Sequence, residues 1–248
     1  MAKQTSIITL NGKIGGISFY KTKDGYQARE KGGVSKSRIM TDPRYARTRE
    51  NMQEFAENAT AAKLLKDAIR PAIVKISDPK LHNRLSSQMM KVLKSDLVNT
   101  RGNRKVSEGD WNLISGMELN ARSSLSSTVL VEITLLNTPS DWTVSLPPFN
   151  PMDFLVVPEG ASHFRLFAVG ASVDFTTSER SFVQVPTVDL PVSAVTDPII
   201  LTVSKASLSE SNQVYVLGVE FVQMVNGQEY AINNGAHNAA VILLTEKV

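Results

Sequence analysis

The spacing of apolar residues changes twice along the chain, and the three patterns predict three kinds of structure. Up to about residue 40, short alternating runs are separated by glycines, which is typical of strands and hairpins. Apolar positions then recur every three or four residues, which predicts helices, before alternation returns. We therefore predict an α+β chain in three parts: a basic β-hairpin arm (1–40), a helical region (41–122) and an Ig-like antiparallel β-sandwich (123–248).

The first part contains one clear hairpin signal. The runs Ile14–Thr22 and Tyr26–Lys31 flank Asp24-Gly25, a dipeptide that favours a type I′ turn. Asn11-Gly12 is a second turn signal, so Ile7–Leu10 is predicted as a third strand. Strands this short bury too little apolar surface to be stable alone. They therefore need a partner surface, either on the rest of the chain or on another subunit.

The second part carries two helix starts and two apolar stripes. Asp42-Pro43 and Asp78-Pro79 each combine an N-cap residue with proline at the first helical position. Two amphipathic helices joined by a short loop favour an antiparallel hairpin. A third, short helix is predicted over Ser107–Ile114. The first stripe is Tyr45, Met52, Phe55, Ala59, Ala62, Leu65 and Ile69, and the second is Leu81, Leu85, Met89, Val92 and either Leu97 or Val98.

The third part has about seven alternating runs separated by prolines and turn residues, which predicts a sandwich. Asn226-Gly227 is its clearest hairpin turn. The serine-rich segment 123–127 is the predicted joint with the helical part. The runs are Val129–Leu136, Phe164–Val173, Phe182–Val185, Ile199–Val203, Val214–Val225, Tyr230–Ile232 and Ala240–Leu244.

Charge is divided between the two halves of the chain. Residues 1–122 carry 23 Lys and Arg against 12 Asp and Glu, a net charge of +11, whereas residues 123–248 carry 4 against 12, a net charge of −8. The first 49 residues hold 11 of the basic side chains. Such a dipolar chain indicates that its front end meets something acidic, such as a nucleic acid, an anionic surface or the acidic half of another copy.

No motif identifies a reaction. The chain has no cysteine, and His82, His163 and His237 lie far apart without the spacing of a zinc site. Ser162 lacks the second glycine of a nucleophile elbow, and Gly12-Lys13 lacks the first glycine of a phosphate-binding loop. The acidic residues are scattered singly. We therefore expect neither an enzyme nor a cofactor.

Basic and aromatic side chains alternate through residues 13–49, and this segment is the candidate interaction site. Cations beside rings are one way to bind nucleic acid, because cations neutralise phosphates and rings stack on bases. The cations could equally keep exposed strand edges soluble, or dock on the acidic half of a neighbouring subunit. The candidate residues are Lys13, Phe19, Tyr20, Lys21, Lys23, Tyr26, Arg29, Lys31, Lys36, Arg38, Arg44, Arg47 and Arg49.

Several short motifs carry a resemblance to a known family. The chain resembles a group of uncharacterised proteins that are frequent in Bacteroidota and have no assigned activity. The resemblance implies a noncatalytic role and assigns no site residue. Its motifs are Gly12-Lys-Ile-Gly-Gly-Ile-Ser-Phe-Tyr20, Asp24-Gly-Tyr26, Ala28-Arg29, Thr48-Arg-Glu-Asn51, Gly116-Met-Glu-Leu-Asn120 and Val225-Asn-Gly-Gln-Glu-Tyr230.

The expected function is structural: a noncatalytic interaction protein that self-associates, or docks onto a larger assembly, through its basic arm. A nucleic-acid-binding module using residues 13–49 and a carbohydrate- or surface-binding sandwich are the alternatives. No apolar run approaches the roughly 20 residues that span a bilayer, and the N-terminus is too polar for a secretory signal. We therefore expect a cytoplasmic homo-oligomer or assembly component, with signal-free release left open.

Overall fold

Two units make up the fold of this chain, which a computed structural model describes over residues 2–5, 8–30 and 32–248. The first unit ends at Arg49 and the second begins at Glu50. This division into two units differs from the three predicted parts, which end at residues 40, 122 and 248. The helical region and the sandwich form one unit because the helices bury their apolar side on one of the sheets.

The first unit contains a four-stranded antiparallel sheet and a short helix. The strands lie in the order β1-β4-β3-β2. Helix α1 follows the sheet, and Asp42 then caps a short 3-10 turn over Pro43–Tyr45, as the Asp-Pro pair predicts. The elements are β1 (Ala2–Lys3), β2 (Gly12–Ile14), β3 (Ile17–Thr22), β4 (Gly25–Glu30) and α1 (Lys36–Thr41).

The turns of this sheet differ from those predicted. Ile14 pairs with Ile17 across a turn at Gly15-Gly16, so Ile14 belongs to a separate strand. Gly15 has a φ of +55°, which glycine adopts without strain. In the next hairpin Thr22 pairs with Gly25, and only Gly25 has a positive φ. The predicted type I′ turn at Asp24-Gly25 is therefore replaced by a turn over residues 23–24, which leads directly into the pair Thr22–Gly25.

The predicted strand Ile7–Leu10 is not formed by its described residues. Ile7 lies outside the described residues, and Ile8 to Leu10 form a bend and irregular chain. The side chain of Gln4 supplies the reason, since its Oε1 accepts a hydrogen bond from the Leu10 N–H (2.8 Å) and its Nε2 donates to the Leu10 carbonyl (3.3 Å). A side chain thus replaces a neighbouring strand as the partner of this backbone.

Two antiparallel helices, α2 and α4, form the helical part of the second unit, and the first four residues of α2 belong to the first unit. Asn58 of α2 donates to the carbonyl of Ser86 in α4 (3.0 Å), and Glu54, one turn earlier, accepts from Gly102 beyond the end of α4 (2.9 Å). The intervening α3 begins at Arg70-Pro71. The helices are α2 (Ala46–Ala68), α3 (Arg70–Ile73) and α4 (Leu81–Lys94).

The predicted apolar stripes are correct only where the helices cover a sheet. Ala62, Leu65 and Ile69 are buried, whereas Met52 and Phe55 near the start of α2 are exposed. Helix α4 ends at Lys94, so both Leu97 and Val98 are exposed as well. The early turns of α2 are instead fixed by polar contacts of buried Glu54 and Asn58.

The predicted third helix is two 3-10 turns, Val106–Glu108 and Trp111–Ile114. Gly109 separates them and lies so close to α4 that a Cβ atom there would come within 2.1 Å of the Val92 carbonyl oxygen. The side chain of Asp110 then caps the second turn. The tight approach of Gly109 to α4 explains why no continuous helix forms here.

The strands after residue 130 form two facing antiparallel sheets, as predicted. The smaller sheet has the order β5-β6-β10, and in the larger one β11 lies between β7 and the pair β12 and β13, while β8 and β9 flank β7. Two short helices, α5 (Leu125–Thr128) and α6 (Pro151–Phe154), lie between strands. The strands are β5 (Thr134–Asn137), β6 (Asp141–Leu146), β7 (His163–Val173), β8 (Arg180–Pro186), β9 (Leu190–Pro191), β10 (Ile199–Ser204), β11 (Asn212–Val225), β12 (Gln228–Ala231) and β13 (Ala239–Lys247).

The strand order is that of an Ig-like sandwich. The two sheets correspond to the sheets ABE and C′CFG of that fold. In this labelling the strands are A (β5), B (β6), C (β7), C′ (β8), E (β10), F (β11) and G (β13). Asn226 and Gly227 both have positive φ and join β11 to β12, as the type I′ signal predicts. The α+β class and the sandwich are confirmed.

The larger sheet is buried on both faces. On one face Phe167, Val169 and Val216 pack against α2 and α4. On the other face Leu166, Tyr215 and Leu217 pack against the smaller sheet. The second unit therefore has three layers, with helices, the larger sheet and the smaller sheet in that order. Such two-sided burial explains the nearly unbroken apolar runs of β7 and β11.

Candidate interaction surface of the N-terminal sheet

One face of the N-terminal sheet is basic. Residues opposite each other in an antiparallel pair point to the same face. The register places Lys13 opposite Ser18 and Ser18 opposite Arg29, which makes one row across the sheet. Lys3 is opposite Gln27, and Gln27 is opposite Tyr20, which makes a second row. We call Lys3, Lys13, Tyr20 and Arg29 the basic face.

The other face is mainly apolar. Ile14, Ile17 and Glu30 form one row, and Phe19 and Ala28 lie in the next row with Ala2. Ile14 is 61% exposed and Ile17 is 44% exposed, while Phe19 and Ala28 are half-buried. Apolar side chains gain stability when they leave water. This face, which we call the apolar face, therefore retains accessible surface that a partner could cover.

Cations lie over tyrosine rings on both faces. Arg29 lies over the ring of Tyr20 at 5.6 Å on the basic face, and Lys21 lies over the ring of its cross-strand neighbour Tyr26 at 5.5 Å on the apolar face. Each contact is a cation–π interaction of about 0.5–1 kcal/mol at exposed sites. The rings hold the cations against the sheet, so part of the positive charge has a fixed position.

Three other candidate arginines organise the chain after α1. Arg44 binds Asp42 through two nitrogens, with Nη2 to Oδ2 at 2.8 Å, and Arg38 approaches the same carboxylate at 3.5 Å. Arg49 donates to the backbone carbonyls of Ile39 (2.7 Å) and Asp42 (3.1 Å). The hydrogen bond from the Arg44 side chain lowers the pKa of the Asp42 carboxyl. These arginines therefore have structural partners within the first unit.

The structure brings together only part of the predicted candidate set. Lys23 lies in the turn before Gly25, Lys36 begins α1, and Arg47 lies in the first turn of α2. Lys31 lies outside the described residues. The sequence reasoning omitted Lys3, because a two-residue strand gives no alternation that would assign it to a face.

Residues 123–248 present an acidic surface, because two of their four basic residues, Arg165 and Lys205, bind carboxylates of the same segment. Arg165 lies within 3.4 Å of Asp189, Glu220 and Glu229. Lys205 binds Glu246 at 2.6 Å and is 11% exposed at its side chain. In residues 123–248, which are all described, eight carboxylates lie in no ion pair: Glu132, Asp141, Asp153, Glu159, Asp174, Glu179, Asp197 and Glu210.

The histidines and tryptophans all belong to the second unit. His163 Nδ1 lies 2.9 Å from Ser162 Oγ, and His237 Nε2 lies 3.2 Å from Asn233 Nδ2. Among residues 2–5, 8–30 and 32–248, no group of three or more His, Cys, Asp or Glu is placed to hold a metal ion. Trp111 and Trp142 are buried, so neither ring offers a platform for a sugar. Within the described part of the chain, no helix is long and apolar enough to cross a membrane.

Comparison with known proteins gives no assignment. No model of a known protein family matches the chain, and no curated protein matches it. The resemblance to uncharacterised Bacteroidota proteins therefore stays a prediction. What the chain does has to be argued from its own surfaces.

Proposed function

We propose that this chain is a noncatalytic structural protein that docks on a neighbouring copy, or on a larger assembly, through its N-terminal sheet. The sheet would cover its apolar face on the partner, and its basic face would meet acidic groups. In this mechanism the partner provides the burial that so small a sheet lacks.

The main support for this proposal is that the described residues of the first unit form no buried core. No described residue among 2–49 is buried, although the sheet has four strands and one apolar face. Small sheets need a packed face for stability. An exposed apolar face on an ordered sheet is a feature of surfaces that bind other proteins.

Charge supports an acidic partner, and the second unit of another copy offers one. The eight carboxylates of residues 123–248 that lie in no ion pair are opposite in sign to the cations of the basic face. Opposite charges would steer the encounter, and moderate salt would weaken it because the Debye length falls to about 10 Å at 0.1 M.

Nucleic acid is the second candidate, and one observation favours it. Tyr20 lies on the basic face with Lys3, Lys13 and Arg29, which combines a ring with cations on a single side. Bases stack on aromatic rings while cations bind phosphates. The ring of Tyr20 already carries Arg29, which makes it less open to a base. We therefore rank protein docking first.

Reversal of charge on the basic face tests the proposal. The variant K3E/K13E/R29E should lose oligomers that the unmodified chain forms at low salt. A matched control, K63E/R70E/K80E, makes the same charge change at exposed positions of the second unit and should keep them. Sedimentation velocity would be recorded at low and moderate salt, with and without a DNA or RNA oligonucleotide.

The possible results separate the candidates. Oligomers that disappear in the basic-face variant but persist in the control support docking on another copy. A chain that is monomeric at all salt concentrations and shifts only with nucleic acid supports the second candidate. Equal loss of oligomers in both variants would refute a specific role for the N-terminal sheet.

A further inference from the structure

A groove runs along the outside of the helical layer, between α2 and α4. Its volume is about 560 Å³, and Phe55, Ala59 and Met90 supply its apolar wall. The charged side chains that line it are Lys91 and Lys94, and the His82 ring lines it near the start of α4. No carboxylate lines the groove. We call this surface the basic groove.

Two residues of the basic groove lack the partners that their chemistry calls for. Phe55 is 64% exposed, although it lies on a helix that packs closely elsewhere. Asn58 is 1% exposed, and its amide nitrogen donates to Ser86, but its Oδ1 accepts no hydrogen bond. A buried unpaired acceptor costs free energy. The exposed ring of Phe55 indicates a surface that another molecule can cover, whereas the Oδ1 of Asn58 is already enclosed within the protein and is not reached from the groove.

An acidic ridge lies on a different layer of the second unit. Buried Val129 and Leu155 pair in a short β-bridge, so the residues next to them point outward. The Leu130 N–H donates to the Phe154 carbonyl (2.8 Å), which places these two side by side. The exposed apolar residues of the ridge are Leu130, Met152, Phe154 and Val156. Asp153 is its exposed carboxylate, and exposed Glu159 lies in the turn that follows Val156.

The ridge and the groove cannot meet within one copy. The helices that form the groove cover one face of the larger sheet, whereas Val129 and Leu155 belong to the core on its opposite face. The two surfaces are complementary in kind, because each combines apolar side chains with charges of one sign. Complementary charges around an apolar centre are typical of specific interfaces.

We propose that the basic groove of one copy binds the acidic ridge of a second copy. Phe154 and Met152 would lie against Phe55 and Met90, and Asp153 and Glu159 would pair with Lys91 and Lys94. Because the two surfaces differ, the contact is head-to-tail and each copy can make it twice. Repetition gives a ring if the rotation closes and a filament if it does not. This contact is independent of the N-terminal sheet.

A charge-swap experiment on the full chain tests this contact. The groove variant K91E/K94E and the ridge variant D153K/E159K should each weaken self-association at least about tenfold, because like charges would then face each other. An equimolar mixture should recover association, since the acidic groove of one variant fits the basic ridge of the other. The control K63E/K80E should associate as the unmodified chain does.

Cysteine cross-linking gives a second, structural readout, because the chain has no cysteine of its own. Ser87→Cys lies in the groove and Met152→Cys lies on the ridge, and both positions are exposed. Under oxidising conditions a mixture of the two variants should give a disulfide-linked pair. A control mixture that pairs Ser87→Cys with Thr202→Cys, exposed on β10, should give little.

The outcomes distinguish this proposal from the docking of the N-terminal sheet. If association responds only to the K3E/K13E/R29E changes, the groove–ridge contact is refuted and the proposed function stands. If association responds only to the groove and ridge changes, the groove–ridge contact stands and docking through the N-terminal sheet is refuted. Failure of the mixed charge-swap variants to recover, together with cross-linking no greater than the control, would overturn the contact even if the single variants are weakened.

Discussion

The two sheets at opposite ends of this chain differ in what covers them. The larger sheet of the second unit is covered on both faces, by helices on one side and by a second sheet on the other. In the N-terminal sheet, none of the described residues is buried. Both are antiparallel and regularly paired. Strand pairing therefore does not by itself say whether the faces of a sheet are covered.

The basic residues of the two regions also differ in whether they have partners within the protein. In the second unit, Arg165 and Lys205 are largely buried and bind carboxylates of neighbouring strands. On the N-terminal sheet, Lys3 and Lys13 are exposed on one face. Cations that bind internal carboxylates stabilise a fold, whereas exposed cations on one face of a sheet remain able to bind an external anion.

A pair of phenylalanine truncations tests this comparison most strongly. Phe167 is fully buried between the larger sheet and the helices, so Phe167→Ala should lower the free energy of unfolding by about 3–5 kcal/mol. Phe19→Ala on the half-buried apolar face should cost less than about 1 kcal/mol. Urea unfolding followed by tryptophan fluorescence and circular dichroism would measure both.

The probes suit this test because both tryptophans, Trp111 and Trp142, lie in the second unit and are buried there. Their fluorescence reports that unit alone, while circular dichroism reports the whole chain. A loss of stability from Phe19→Ala as large as that from Phe167→Ala would contradict the contrast in burial.

Two glycines give a second comparison, with a smaller effect. A Cβ atom at Gly109 would lie 2.1 Å from the Val92 carbonyl oxygen, which is backbone and cannot move aside, so Gly109→Ala should cost about 1–3 kcal/mol. At Gly16, in the N-terminal sheet, nothing lies within 4 Å of the added atom, and Gly16→Ala should change stability by less than about 0.5 kcal/mol. Thermal unfolding would show a clear drop in Tm for the first substitution only.

The sequence correctly located those elements whose residue pattern depends only on neighbouring residues in the chain. The runs of β7 and β11 and the turn Asn226-Gly227 were found close to where they were predicted, because a run of apolar β-forming residues and a turn dipeptide are both local features of the sequence. The prediction that the apolar stripe of α2 is buried was wrong at Met52 and Phe55. Spacing shows which residues share one side of a helix, but it does not show how far the sheet beneath that helix extends.

The candidate surface shows the same division between local and nonlocal information. Basic and aromatic residues in 13–49 were recognisable from composition, but their separation onto two faces depends on register, which the glycine turns set. Arg44 and Arg49 were predicted with the surface cations, yet they bind Asp42 and neighbouring carbonyls. The basic groove was missed entirely, because its lysines lie on α4 and its phenylalanine on α2.

The last comparison concerns two aspartates, Asp96 and Asp42, and the pH dependence of their contribution to stability. Its expected effect is the smallest. Burial by itself would raise the pKa of Asp96, but the backbone N–H groups of Lys105 (2.9 Å), Asn99 (3.0 Å) and Val98 (2.7 Å) donate to its carboxylate and bring the pKa down to about 2. Because this pKa is below the ordinary 3.8, the ionised form stabilises the fold above about pH 4, and that stabilisation is lost as the pH falls through about 2.

Asp96→Asn should therefore cost about 1–2 kcal/mol at pH 7, and the difference from the unmodified chain should shrink as the pH falls toward 2. The matched change in the first unit, Asp42→Asn, removes the partner of exposed Arg44 and should have a smaller effect. Urea titrations at pH 7, 4 and 2.5 would measure both variants. A difference for Asp96→Asn that stays constant down to pH 2.5 would mean that its carboxylate charge does not hold the loop between α4 and Lys105. The two units would then not differ in how they use their carboxylates.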